Sequence, residues 1–97
     1  MRIESFSAGY WLLPDFEVVA YDGNHAIIQD TEFFQILNEI DVPYLLGSAG
    51  GRHFRLNPEY SIPSGYVAVP RDSQYAARDG DALLIAKRSG LEAFQDV

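Results

Sequence analysis

Apolar positions have a helical spacing in one segment of the chain and form short, strand-like runs elsewhere. The helical segment contains apolar residues at intervals of three and four: Phe33, Phe34, Ile36, Leu37 and Ile40. This spacing predicts an amphipathic helix over about 31–41, with Thr31 or Asp30 as its N-cap. We expect the apolar side of this helix to pack on a sheet.

The other apolar runs are short, rich in β-branched and aromatic residues and separated by turn-forming residues, which is typical of strands. In chain order they occupy 9–13, 16–21, 25–29, 44–47, 52–56, 66–70 and 82–87. The last run also fits a helix, but the glycines on either side of it favour a strand. Residues 74–78 fit a helical turn, and the tail from residue 90 fits a short helix or a frayed end.

We expect about five or six of these runs to be strands, and together with one main helix they predict an α+β fold. We expect a small, mainly antiparallel, curled β-sheet with the helix at about 31–41 packed on it. A chain of 97 residues has the size of one domain, so residues 1–97 are expected to form a single domain.

The dipeptide Asp22-Gly23 lies between two apolar runs, which is a strong signal for a two-residue β-hairpin turn. Such a turn would place Val19 opposite Ala26 and Val18 opposite Ile27. Both faces of this hairpin would then be apolar, so we expect another element or another subunit to cover one of them.

A second turn signal is the stretch "SAGGRHFRLN" at 48–57, which also raises the question of a phosphate-binding loop. A phosphate loop needs a helix N-terminus after its glycines, whereas the residues that follow here alternate like a strand. The stretch is therefore predicted to be a hairpin, with its loop at Ala49-Gly50 or over 48–51. In that register Leu45 faces Phe54.

The same register places Tyr44 beside Arg55, within reach of a cation–π contact. The hairpin thus carries a candidate binding surface, formed by Tyr44, Arg52, His53 and Arg55. Basic side chains next to an aromatic ring are typical of weak nucleic-acid or nucleotide binding. Two alternatives fit the same residues: a solvated strand face without a ligand, or a surface that contacts an acidic surface of another protein.

Charge limits the partners of this surface. Fourteen carboxylates oppose six arginines and one lysine, and the net charge is −7. This balance argues against binding to the nucleic-acid backbone, which requires clustered cations. Acidic, lysine-poor composition is also associated with proteins from concentrated salt.

The absence of cysteine from the sequence excludes disulfides, thiolate zinc sites and a cysteine nucleophile. No apolar run is long enough to span a membrane or to act as the core of a signal peptide, which predicts a cytoplasmic protein without membrane contact. The two histidines have no metal-ligand spacing, and the serines lie in no nucleophile motif. We therefore predict no catalytic residue, metal or cofactor, and keep a small enzyme with a loop-assembled site as a further alternative.

Tyr10 and Trp11 are candidate interface residues, because aromatic side chains near a turn are enriched at contacts between proteins. Two apolar faces and one helix to cover them favour a homodimer or a complex with another protein. The leading hypothesis is accordingly a small acidic interaction or regulatory module, non-enzymatic and homodimeric.

The segments "SAGYWLLPDFEVVAYDGNHAII", "GRHF" and "YVAVP" resemble, in order and content, a family of small uncharacterised haloarchaeal proteins. The resemblance covers about residues 5–70. It implies a haloarchaeal cytoplasm, in agreement with the single lysine, and it implies no particular activity, cofactor or binding residue.

Overall fold

Eight strands and two helices make up the described part of the chain, which comprises residues 1–71 and 81–95 of the computed structural model. In chain order these elements are β1 (Glu4–Ser5), β2 (Tyr10–Leu13), β3 (Glu17–Tyr21), β4 (Ala26–Gln29), α1 (Asp30–Ile40), β5 (Leu46–Ala49), β6 (Arg52–Glu59), β7 (Tyr66–Pro70), β8 (Leu83–Ala86) and α2 (Arg88–Gln95). The strands form one mixed, curled sheet, so the α+β class is confirmed. The predicted turn at 74–78 lies outside the described residues.

The sheet has the strand order β1-β2-β8-β5-β6-β4-β7-β3. Strand β6 joins its two halves, because Arg52–Arg55 pair with β5 and Leu56–Glu59 pair with β4. Two of the pairings, β3 with β7 and β4 with β6, are parallel. The prediction of five or six mainly antiparallel strands is therefore wrong, since eight strands are described and the sheet is mixed.

The predicted hairpin at Asp22-Gly23 is wrong. Strand β7 lies between β3 and β4, parallel to the first and antiparallel to the second. A two-residue turn of the favoured type needs positive φ at both central residues, and neither Asp22 nor Gly23 is among the described residues that have it. The face assignment changes as well, because Val18 and Ile28 both flank Val67 and share the core side of the sheet.

The predicted second hairpin is present, with its loop one residue further along. Gly50 and Gly51 form the loop with φ of 57° and 80°, the backbone that a tight hairpin turn requires. Ala49 consequently pairs with Arg52, and Gly47 instead of Leu45 faces Phe54. The register differs from the predicted one by two residues, so each side chain keeps its predicted face.

Helix α1 confirms the predicted amphipathic segment to within one residue at each end. Phe33 and Ile36 are buried in the core, and Leu37 and Ile40 are partly buried against it, whereas Phe34 is exposed. The predicted N-cap is wrong. Strand β4 runs directly into the helix, so its last residue, Gln29, occupies the N-cap position and makes no side-chain capping bond.

Helix α1 packs on β4 and β6, and the members of the core come from every strand except β1 and from both helices. Its most deeply buried large side chains are Leu13, Val18, Ile28, Ile36, Leu45, Leu56, Val67, Val69, Leu83 and Ile85. The run at 82–87 forms β8, which confirms the preference for a strand there. The tail forms α2 as far as Gln95.

Candidate functional site

A cleft of about 570 Å³ opens where the start of β6 passes the loop before β4 and the end of β7. Among the described residues, the polar ones that line the cleft are Asn24, His25, Arg52, His53, Arg55 and Asn57. Its apolar lining consists of Ala26, Phe54, Val69 and Pro70. We call this site the basic cleft. Its volume is in the range of sites that enclose a small molecule.

The parallel pairing of β4 with β6 assembles the cleft. Ala26 pairs with Leu56, and His25 is the residue directly before Ala26 in the chain. The side-chain amide of Asn57 donates to the carbonyl of Ala26 at 3.2 Å and reinforces this junction. On the other side of β4, β7 pairs antiparallel with it, so the end of β7 lies next to the start of β4.

The hairpin supplies the remaining basic residues. Because Gly50 and Gly51 form the turn, Arg52 and His53 are the first residues of β6, and both line the cleft. Both side chains are exposed, as are those of Arg55 and His25. The predicted residues Arg52, His53 and Arg55 therefore lie together in one site, and His25 joins them from outside the hairpin.

The electrostatics of the cleft are opposite to those of the chain. Both histidines and two of the six arginines line it, in a protein of net charge −7. Not one of its described lining residues carries a carboxylate, although the sequence has fourteen. Such a local concentration of cationic groups attracts anions.

Tyr44 fixes the position of the Arg55 guanidinium. The guanidinium carbon lies 4.7 Å from the centre of the Tyr44 ring, which confirms the predicted cation–π contact. Tyr44 itself is half-buried and packs against the core. The N–H groups of a guanidinium lie in its plane, so a guanidinium over an aromatic ring can still donate two parallel hydrogen bonds to an oxyanion.

Tyr10 holds His53 in a comparable way. The Tyr10 hydroxyl lies 2.6 Å from Nε2 of His53, and the ring centres are 5.9 Å apart. Tyr10 is opposite Ala86, and His53 is opposite Ser48. Both of these intervening residues are small and buried, so the two longer side chains can meet above them.

Trp11, the second candidate interface residue, lies in a different environment. The ammonium of Lys87 lies 4.4 Å from the centre of its ring, and Trp11 is half-buried. Lys87 also donates to the Ser7 carbonyl at 2.6 Å and to the Ser5 hydroxyl at 3.3 Å. Lys87, the single lysine of the sequence, thus links the segment at Ser5 and Ser7 to the end of β8 by hydrogen bonds.

The described lining of the cleft contains two imidazoles and no carboxylate. Among the described residues, no three histidine, cysteine or acidic side chains are grouped so that they could hold a metal ion. Guanidinium and imidazole groups can donate hydrogen bonds to an anion.

Comparison of the chain with protein-family models, with curated proteins and with solved structures finds no match. The resemblance to a haloarchaeal family and the cytoplasmic location therefore stay predictions. Within the described residues, neither helix has the length and apolar character needed to cross a membrane.

Proposed function

We propose that this protein is a small binding module that takes a small organic anion into the basic cleft. The observation that carries the proposal is the convergence of His25, Arg52, His53 and Arg55 at one cleft of an acidic chain. This extends the nucleotide-binding hypothesis for the hairpin to a site that also includes the loop before β4.

The lining indicates what kind of anion fits. The guanidinium and imidazole groups suit a phosphate or carboxylate, whereas Phe54, Val69 and Pro70 suit an apolar or planar body attached to it. A nucleoside monophosphate combines both features and is the probe of choice. A long nucleic acid is disfavoured, because the net charge of −7 would repel its backbone.

The test is calorimetric titration of the full chain with adenosine 5′-monophosphate at two salt concentrations. We expect saturable binding that weakens with added salt. Arg55→Gln should weaken binding about tenfold, the usual size of one lost charge-assisted hydrogen bond.

Arg2→Gln is the matched control. It removes the same charge, but Arg2 pairs with Asp15 and does not line the cleft. Its affinity should stay within about twofold of the unsubstituted protein, a change of about 0.4 kcal/mol. Equal loss in both variants, or no binding by the unsubstituted chain, would contradict the proposal. Tighter binding of single-stranded nucleic acid than of the monophosphate would favour the nucleic-acid alternative.

A second candidate function is contact with another copy of the chain, the leading hypothesis of the sequence analysis. Several large aromatic side chains are exposed in the described structure, including Tyr60 at 82% and Phe34 at 53%. Exposed aromatic residues of this kind favour protein contacts. Sedimentation across a concentration series tests it, since a mass of one chain throughout would exclude the homodimer.

A further inference from the structure

We propose that the outer edge of β3 is a self-association surface, on which β3 of a second copy of this chain pairs antiparallel and joins the two sheets. The contact is centred on Val19, which lies opposite Val19 of the second copy. It rests on the second candidate function, contact between two copies, and gives that function a defined interface. It does not depend on anion binding by the basic cleft.

The described sheet ends in two edge strands that differ in how they are protected. At one end, β1 has only two residues, and the carboxylate of Glu4 lies 3.7 Å from the guanidinium of Arg2. A short, charged edge of this kind discourages pairing with another chain. At the other end, β3 has five residues, EVVAY, without a proline or a lysine. Among the described residues β3 pairs with β7 alone, so its outer edge is a template for a further strand.

The pairing with β7 determines which backbone groups of β3 face outward. At the start of the strand, the N–H of Glu17 donates to the carbonyl of Gly65 at 2.9 Å. At its end, the N–H of Arg71 donates to the carbonyl of Tyr21 at 2.8 Å. Successive residues of a paired strand direct their backbone groups to opposite sides. The first, third and fifth residues of β3 therefore bond to β7, and the second and fourth face outward.

The two outward residues, Val18 and Ala20, lie symmetrically about Val19. An antiparallel second copy with Val19 opposite Val19 places Val18 of each copy opposite Ala20 of the other. Each of these pairs exchanges two hydrogen bonds, so every outward N–H and carbonyl of both strands finds a partner. The side chain of Val18 is fully buried, which holds the edge in its extended form before the copies meet. Because the pattern is self-complementary about a two-fold axis, a second copy is the partner that fits it.

The charges of β3 are compatible with this register. Glu17 is the only charged residue of the strand, and it would lie opposite Tyr21 of the second copy. The next residue, Asp22, is paired with Arg71 at 3.3 Å. Like charges directly opposite each other destabilise a strand pair. In this register no two carboxylates of β3 face each other, so the contact avoids that cost.

The contact closes on two copies. Pairing uses β3 of both copies, and the joined sheet then ends in β1 on both sides. The two residues of β1 offer too few backbone groups to continue the sheet. Two-fold pairing therefore gives a dimer and not a fibre. One strand pair is smaller than the interface of a permanent dimer, so we expect dissociation in the micromolar range.

Cross-linking of single-cysteine variants tests the register, because the sequence contains no cysteine of its own. Val19→Cys places two thiols opposite each other, in a pair whose Cα atoms are about 4.5 Å apart, close enough for a disulfide. Oxidised glutathione should convert most of this variant to a covalent dimer. Ala20→Cys is the matched control. Its two thiols are offset along the strands by two residues, with Cα atoms more than about 7 Å apart, so it should cross-link several-fold less.

A proline at the outer edge tests the contact in solution. Ala20→Pro removes an N–H that β7 does not use, and proline is tolerated on an edge strand when its nitrogen faces outward. The substitution removes two hydrogen bonds from the two-fold contact, so association should weaken about tenfold or more. Ala20→Ser keeps the N–H and is the matched control, with a change of about twofold or less. Sedimentation across a concentration series measures both variants, and circular dichroism verifies that they are folded.

Exchange of charges at position 19 keeps the test decisive if the proline disturbs the strand. Val19→Lys and Val19→Glu each place like charges opposite each other on the two-fold axis, so each variant alone should be monomeric. An equimolar mixture should form a mixed dimer, because opposite charges then meet. A mixture that stays monomeric would overturn the pairing of position 19 with itself.

The outcomes distinguish this interface from the function on which it rests. Cross-linking through Val19→Cys and not through Ala20→Cys supports the β3 contact. A dimer that is unchanged in Ala20→Pro, or that cross-links through the 82% exposed Tyr60 as Tyr60→Cys instead, would overturn this interface and leave the homodimer intact. A mass of one chain at every concentration, together with no cross-linking of Val19→Cys, would overturn both. Titration with adenosine 5′-monophosphate tests the basic cleft separately.

Discussion

The turn that presents Arg52 to the cleft can be tested by replacing Gly51 with alanine. Gly51 has φ of 80°, and a Cβ added there would meet no other atom within 4 Å. The substitution therefore changes only the backbone preference. An L-residue in the left-handed region costs about 1–2 kcal/mol, and the lower chain entropy of alanine in the unfolded state offsets about 0.4–1 kcal/mol of that. We expect a net loss of about 1 kcal/mol.

Urea unfolding measures this loss. With a denaturant slope of about 1–3 kcal/mol per molar, the midpoint should fall by about 0.5 M. Gly50→Asn is the matched control, because asparagine followed by glycine is the preferred pair for this turn, and its change should stay within about 0.5 kcal/mol. An unchanged or raised midpoint for Gly51→Ala would refute the assigned turn.

Three further predictions concern the packing of the two ends of the chain. Gly90→Ala would press its Cβ against the Gly9 carbonyl, and we expect a loss of about 1–3 kcal/mol, seen as a lower Tm in thermal unfolding. Lys87→Met removes the ammonium from the single tryptophan ring and from a backbone carbonyl, so urea unfolding should show a loss of about 1 kcal/mol. Arg2 donates hydrogen bonds to Asp15 and thereby lowers the pKa of the Asp15 carboxyl. The pair therefore contributes stability above the unfolded-state pKa of about 4, and this stability is lost as the pH falls through the lower folded-state pKa. Asp15→Asn should reduce the loss of stability between pH 5 and pH 3 in acid titration of the folded state.

Local patterns allowed several parts of this structure to be predicted. The three- and four-residue spacing of apolar residues located α1, because a helix is determined by near neighbours in the chain. The glycine-rich stretch located the second hairpin, and the alternation after it predicted that Tyr44 and Arg55 would meet. A register error of two residues did not change the faces.

The parallel pairings could not be predicted in the same way. Strand β7 pairs with β4 across about 40 residues and with β3 across about 50, and apolar periodicity does not identify a partner at that distance. The Asp22-Gly23 signal was misleading for this reason, since β7 occupies the place where the hairpin partner was expected. In the folded loop, the Tyr21 side chain lies against Gly23 and bonds to the carbonyl of His25.

The same non-local pairing explains what was missed in the site. His25 reaches the cleft only because β4 runs parallel to β6, and Asn57 lies there for the same reason. The sequence has only two histidines, and no local pattern indicated that both would line one cleft.

The central claim is that the basic cleft is where the protein binds an anion. It is tested most directly by two-dimensional amide NMR of the full chain during titration with adenosine 5′-monophosphate. We predict saturating shifts centred on 24–26 and 52–57, with a smaller effect at Val69 and little change at Tyr60 or in α1. Shifts centred on Tyr60 and Phe34, or small uniform shifts without saturation, would contradict the account.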